Sequence, residues 1–251
     1  MIKLENTEVV GWEHAIRGMR NPMNSWNKSD SVFKESTTTS SLDENDKVEE
    51  MLVYFDALHL GKNDHNLAMK LRNAGTDHRK FMRMIAVYVD ITAPLYWWKE
   101  FDTYKVGTVA NSCSTMHKIA AKEFDVNDFS HEHIEELDGD EYNMSYDWLL
   151  RTVDILNYYR KDYSIASEKL KRTDLTEAER KHVLAQQKLY WWQMIQLLPS
   201  SYNQRRTVML NYEVLANIYK SRRNHKLDEW HTFCDWVESL PYGELITGEK
   251  K

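Results

Sequence analysis

The apolar positions of this chain recur at two spacings, one near two residues that marks strands and one near 3.6 that marks helices. Residues 2–10 alternate weakly and suit an edge strand, and Glu13 to Arg20 suits a short helix stopped by Asn21-Pro22. From Met23 to about Lys47 the chain is rich in Ser, Thr and Asn and reads as a long loop. Asn63–Asn73 has helical spacing, with Gly75 as its stop. The segment MIAVYVDIT, Met84 to Thr92, is β-branched and aromatic and reads as a strand. Ala93-Pro94 then opens a helix through LYWWKEFDTY, broken at Gly107. Residues 121–144 are acidic and irregular. Two long helices follow, Met144–Tyr163 and Glu177–Leu197, the second ended by Leu198-Pro199. Ser201–Asn211 reads as a strand, Tyr212–Arg223 as a helix, and Lys226–Leu240 as a last amphipathic helix. Strand followed by helix occurs twice, flanked by helical pairs, a pattern of α+β rather than a repeating α/β array.

Length and composition narrow this picture. A chain of 251 residues with 42% hydrophobic and 29% charged residues suits a single domain, 1–251, that needs no disulfide or metal staple. The net charge of −6 argues against broad nucleic-acid binding, which depends on clustered cations. Cys113 and Cys234 are too few and too far apart for a disulfide framework, and fit a reducing, cytoplasmic setting. The first residues lack the layout of a secretory signal, and the most apolar stretch, Met84 to Trp98, is too short to span a bilayer, so no membrane role is expected.

Three groups of polar residues are worth weighing as sites. His131, His133, His225 and His231 lack a third ligand at metal-site spacing, so surface histidines are preferred and no metal is expected. Arg205, Arg206, Arg222 and Arg223 have the planar forks that phosphate recognition uses, although Arg222 and Arg223 also suit the C-terminal end of a helix dipole. Tyr104–His117, YKVGTVANSCSTMH, is a dense run of donors without the glycine spacing of a phosphate loop; it suits a polar ligand or a plain polar loop. The aromatic runs Tyr96-Trp97-Trp98 and Tyr190-Trp191-Trp192 suit core or subunit interface better than ring stacking.

The ordered pieces resemble a known family, the flavin-dependent thymidylate synthases of the ThyX type, and within it a diverged, phage-like branch. A strand leads into Ala93-Pro94, like the family's strand before an "AP" helix start. That helix runs on to the family's Arg-His-Arg position, here Thr103-Tyr104-Lys105, and then to the NSCS segment. Leu198-Pro199 ends a helix before a strand, and NYEVLANIYKSR, Asn211 to Arg222, matches the family's Asn, Asn and Arg without a gap. An aromatic, Trp230, follows. The likeness covers roughly residues 63–118 and 185–237.

The resemblance implies an α+β ThyX-like fold with a central mixed or antiparallel sheet flanked by helices, assembled as a homotetramer. It implies FAD as cofactor, dUMP as substrate, and methylenetetrahydrofolate and NADPH as co-substrates. By position Arg222 would bind and polarise dUMP, with Ser114 and Glu100 also at the nucleotide. Asn211 and Asn217 would contact the flavin, and Tyr104, Lys105 and Asn111 would line its pocket. The changed Arg-His-Arg motif, and Ile195 where the family has an arginine before "LP", remove cationic contacts to phosphates. Two alternatives therefore stand beside thymidylate synthesis: a pyrimidine deoxynucleotide (hydroxy)methylase for phage DNA, and a non-catalytic nucleotide-binding relative.

Overall fold

The computed structural model describes residues 2–33, 39–42, 48–51, 58–134 and 144–248, with backbone alone for 39–42, 48–51 and 58. The strands are β1 (Lys3–Val10), β2 (Val32–Phe33), β3 (Thr39–Leu42), β4 (Val48–Met51), β5 (Leu58–His59), β6 (Ala86–Pro94), β7 (Val109–Ser112) and β8 (Asn203–Asn211). The helices are α1 (Trp12–Arg20), α2 (Lys62–Asn73), α3 (Leu95–Phe101), α4 (Thr115–Lys118), α5 (Met144–Leu170), α6 (Glu177–Leu197), α7 (Tyr212–Arg222), α8 (Asp228–Ser239) and α9 (Glu244–Thr247). A four-stranded sheet runs β1-β6-β8-β7, and two small antiparallel pairs, β2-β5 and β3-β4, stand apart from it in pairing. This is an α+β arrangement of antiparallel sheet and helix, as the sequence pattern implies.

Period-two burial makes β6 a central strand: Val87, Val89, Ile91 and Ala93 are buried while Tyr88 between them is exposed. β1 takes the sheet edge with Lys3, Glu5 and Glu8 along it, charges that discourage pairing with another chain. The chain divides into two compact units. The first comprises Met1–Asn6, Val89–Lys105 and Ala110–Val208. Its core holds Trp97, Trp98 and Phe101 of α3, and Phe124, Phe129, Leu149, Leu156 and Met194. The second comprises Thr7–Tyr88, Val106–Val109 and Met209–Lys251. There Trp12 packs edge-on against Tyr212 at 5.2 Å and Tyr242 at 5.4 Å, over a core with Leu215, Ile218, Trp230 and Phe233.

Several expectations need adjustment. Met84 belongs to a 3-10 turn, Arg79–Met84, so the strand begins two residues later and runs into Pro94. Pro94 is the N-cap of α3, and α3 ends at Phe101 rather than near Tyr104. The first long helix continues past Tyr163 to Leu170. Val109–Ser112, read as part of a polar loop, is the edge strand β7, because its partner β8 supplies the ladder that its own composition does not advertise.

The stretch 23–47 is not one long loop. It holds a 3-10 turn at Trp26–Lys28, β2 and β3; residues 34–38 and 43–47 lie outside the described ones. Buried Asp64 of α2 organises its start, accepting from Arg20 Nε at 2.5 Å, from Ser29 and Ser31 hydroxyls at 2.7 Å, and from the Asp30 and Ser31 amides at 3.1 Å.

Candidate functional site

Helix α7 carries three of the expected site residues. Asn211 is its N-cap, and its Oδ1 accepts the Val214 amide at 3.0 Å, which leaves Nδ2 to donate elsewhere. Gly107 lies against that cap with φ +78; a Cβ there would stand 3.0 Å from Val214 Cγ2 and 3.1 Å from Asn211 Nδ2. Asn217 is exposed in the middle of the helix and accepts from Arg79 Nη2 at 3.1 Å. Arg222, in the last turn, holds its guanidinium over the Trp230 ring at 4.8 Å, a cation–π contact. Arg223 points elsewhere, to Asp235 at 2.9 Å and Glu238 at 3.1 Å. Its side chain is 41% exposed and paired.

Glu213, in the first turn of α7, is buried and accepts from Arg79 at 3.3 Å and from Arg83. Burial raises its pKa, but the Arg83 and Arg79 hydrogen bonds and charges outweigh that and hold it below the usual carboxylate range.

The other expected site residues belong to the first unit. Glu100 of α3 is half-buried, and its carbonyl accepts the Thr103 hydroxyl at 2.7 Å. Tyr104 is half-buried and Lys105 exposed beyond the helix end. Asn111 is exposed on β7. Ser114 spends its hydroxyl as the N-cap of α4, accepting the His117 amide at 3.2 Å. Gln204 of β8 ties this stretch down, donating to the Cys113 carbonyl at 3.1 Å and to the Thr115 hydroxyl at 3.0 Å. Thus the structure gathers Asn211, Asn217 and Arg222 on one helix, and carries Glu100, Tyr104, Lys105, Asn111 and Ser114 on a separate run of chain.

Arg205 and Arg206 do not form a phosphate fork. Arg205 meets Asp90 at 2.8 Å and Glu5 at 3.7 Å, and Arg206 meets Asp102 at 2.8 Å while stacking on Trp98 at 4.1 Å. Hydrogen bonds from Thr207, Asn6 and Arg205 hold the Asp90 carboxyl well below its ordinary value. Among the described residues no three His, Cys, Asp or Glu side chains converge as a metal site needs, and no helix is long and apolar enough to cross a membrane.

No family model matches the sequence, and no curated protein matches it. Solved structures do. Thymidylate synthase ThyX from Helicobacter pylori, solved with FAD and dUMP at 2.31 Å, superposes with a TM-score of 0.56 at 12% identity, over 98% of this chain and 96% of that one. A second structure of ThyX from that organism, complexed with FAD and dUMP, gives 0.57 at 14% identity, over 99% and 100%. The chain has the ThyX fold. The UMP/dUMP methylase PolB from Streptomyces cacaoi, bound with 5-Br dUMP, is similar at a TM-score of 0.50 and 13% identity, over 99% and 94%.

Within this ThyX-like fold, sequence reasoning missed Arg72, Arg79 and Lys220, which share a cleft with Asn217. It also missed Glu213, the acceptor for Arg79. A sequence signal existed for the pair: the basic stretch DHRKFMR precedes the strand, and an acid follows Asn211 by two residues.

Proposed function

We propose that this protein is a flavin-dependent enzyme that methylates dUMP to dTMP, taking its carbon from methylenetetrahydrofolate and its reducing equivalents from NADPH. The observation that carries the reading is α7: a helix capped by Asn211, with Asn217 exposed on it and Arg222 held over Trp230. The shared fold supports it, since the H. pylori structures hold FAD and dUMP and PolB holds 5-Br dUMP.

The residues fit these ligands. Asn211 Nδ2 and the Asn217 amide donate to the flavin ring, and Tyr104, Lys105 and Asn111 line its surroundings, Lys105 facing phosphate charge. The flavin, when bound, supplies the redox chemistry of the reaction. Arg222 holds a pyrimidine carbonyl in its fork and stabilises the negative charge that develops on the ring. Glu100 and Ser114 orient the nucleotide, Ser114 through the hydroxyl hydrogen that its capping role leaves available.

Titration of flavin fluorescence tests the reading. FAD quenches on binding, and Lys105→Ala weakens it roughly ten- to a hundredfold, the effect of one charge-assisted hydrogen bond of ~1.5–3 kcal/mol. No quenching at high micromolar FAD overturns it. A second reading, hydroxymethylation of a pyrimidine deoxynucleotide, is favoured by Thr103-Tyr104-Lys105 at the Arg-His-Arg position. The mass of the product nucleotide separates the two.

A further inference from the structure

In the second unit the end of α2, the turn at Arg79, one face of α7 and the end of α9 enclose a cleft of about 530 Å³. Arg72, Arg79, Lys220 and Arg223 line it with Asn73 and Asn217, and among the described residues no carboxylate side chain does. Along α7 and its C-cap, Asn217, Lys220 and Arg223 follow one another at intervals of three, so they form one stripe.

The charges here are incompletely matched. Arg223 has Asp235 and Glu238 of α8. Arg79 shares a single carboxylate, Glu213, with Arg83. Among the described residues Arg72 has only neutral acceptors: the Leu245 carbonyl at 3.2 Å, the Ile246 carbonyl at 2.9 Å and Asn73 Oδ1 at 3.0 Å. These fix its guanidinium without neutralising it. Burial, with the like charge of Arg79 added, pushes the Arg72 guanidinium below its ordinary pKa. Lys220 is exposed and has no carboxylate partner among the described residues. Arg72 and Lys220 are therefore left without a carboxylate among the described residues, in a volume within the usual range for small-molecule sites, about 300–1,000 Å³.

We propose that this cleft binds the phosphate group of a small phosphorylated molecule, with Arg72 and Lys220 as its charge partners and Asn217 as a neutral donor. A phosphate monoester carries about −1.5 to −2 at neutral pH and so balances both cations, whereas a carboxylate would leave one unmatched. Fixed guanidinium forks also fit its oxygens in pairs. The site shares Asn217 with the flavin reading but does not depend on it, because neither Arg72 nor Lys220 has a place in that reading.

Calorimetric titration of the full chain with inorganic phosphate, and separately with ribose 5-phosphate, tests the proposal. A single saturable site is expected, weakened by salt and weakened roughly tenfold or more by Lys220→Glu or by Lys220→Ala. Tighter binding of ribose 5-phosphate identifies an organic phosphate as the ligand, and equal binding identifies free phosphate; both support the site. Absence of saturable heat for both probes at about 10 mM overturns it, as does binding that neither Lys220 variant alters. Flavin fluorescence of the same variants is read in parallel. Flavin binding without phosphate binding removes the cleft alone, and the reverse removes the flavin reading alone.

Discussion

Arg222 lays its guanidinium over Trp230 at 4.8 Å, while Arg223 is held by Asp235 and Glu238 at 2.9 and 3.1 Å. The two neighbours therefore respond differently to the same change. Lysine keeps the charge but has no planar fork, so Arg222→Lys is expected to lose most of the dUMP affinity, and Arg223→Lys little of it. Isothermal titration with dUMP decides, and equal, near-wild-type binding in both variants would remove Arg222 from the site. Elsewhere one carboxylate is structural. Asp64 is fully buried, pairs with Arg20 at 2.5 Å and accepts four further hydrogen bonds. Asp64→Asn leaves Arg20 a buried, uncompensated charge, at a cost of about 3–5 kcal/mol by denaturant unfolding. Burial raises the Asp64 pKa, but the bonds from Ser29, Ser31, Arg20 and Asp30 lower it on balance. With a folded pKa below the unfolded one, its contribution is fully present above about pH 4 and is lost as pH falls through the folded value. Urea midpoints from pH 6 downward should therefore decline in the wild type and more shallowly in Asp64→Asn.

Among the elements, α7 depends on the chain that crosses its N-terminus. Gly107, at φ +78, has room for no Cβ without pressing on Val214 and Asn211. Gly107→Ala should cost about 1–2 kcal/mol from backbone strain alone, and it should weaken flavin binding as well, because Asn211 is displaced. A variant with wild-type melting and flavin affinity would show that the segment yields freely. Which elements were legible follows from where their information lies. β6, α2, α6 and α7 announce themselves because periodicity, caps and stops are local. The Thr176–Glu179 capping box even fixes the start of α6. The start of the 23–47 stretch does not, because the group that satisfies it, Asp64, lies more than thirty residues away in sequence. β7 was hidden for the same reason: its ladder belongs to β8. The cleft cations Arg72, Arg79 and Lys220 are ordinary helix and turn residues until folding brings them together. By contrast the common placement of Asn211, Asn217 and Arg222 was legible, because one helix and its N-cap carry all three.

At the scale of the whole molecule, the two aromatic runs divide between core and surplus apolar surface. Trp97 and Trp98 are 0% and 1% exposed and belong to the core of the first unit, so they leave no surplus. The long helices do. Trp148 is 63% exposed, and Ile155, Tyr158 and Ile165 of α5 are exposed with it; on α6 Leu184, Leu189 and Trp192 are exposed too. Apolar side chains in such number on one helical pair mark an interface more often than a solvated surface. In a homo-oligomer such a face meets its own copy about a symmetry axis, so one substitution acts twice at every contact. A homotetramer is expected by light scattering at micromolar concentration. Trp192→Glu places a charge at each symmetric contact and is expected to shift the population to smaller species without changing the circular dichroism of the chain. If the site is built at subunit junctions, the same variant loses flavin quenching in proportion to the dissociated fraction. A wild-type monomer would overturn both claims. A tetramer that Trp192→Glu leaves intact would move the interface off α6 and leave the assembly standing.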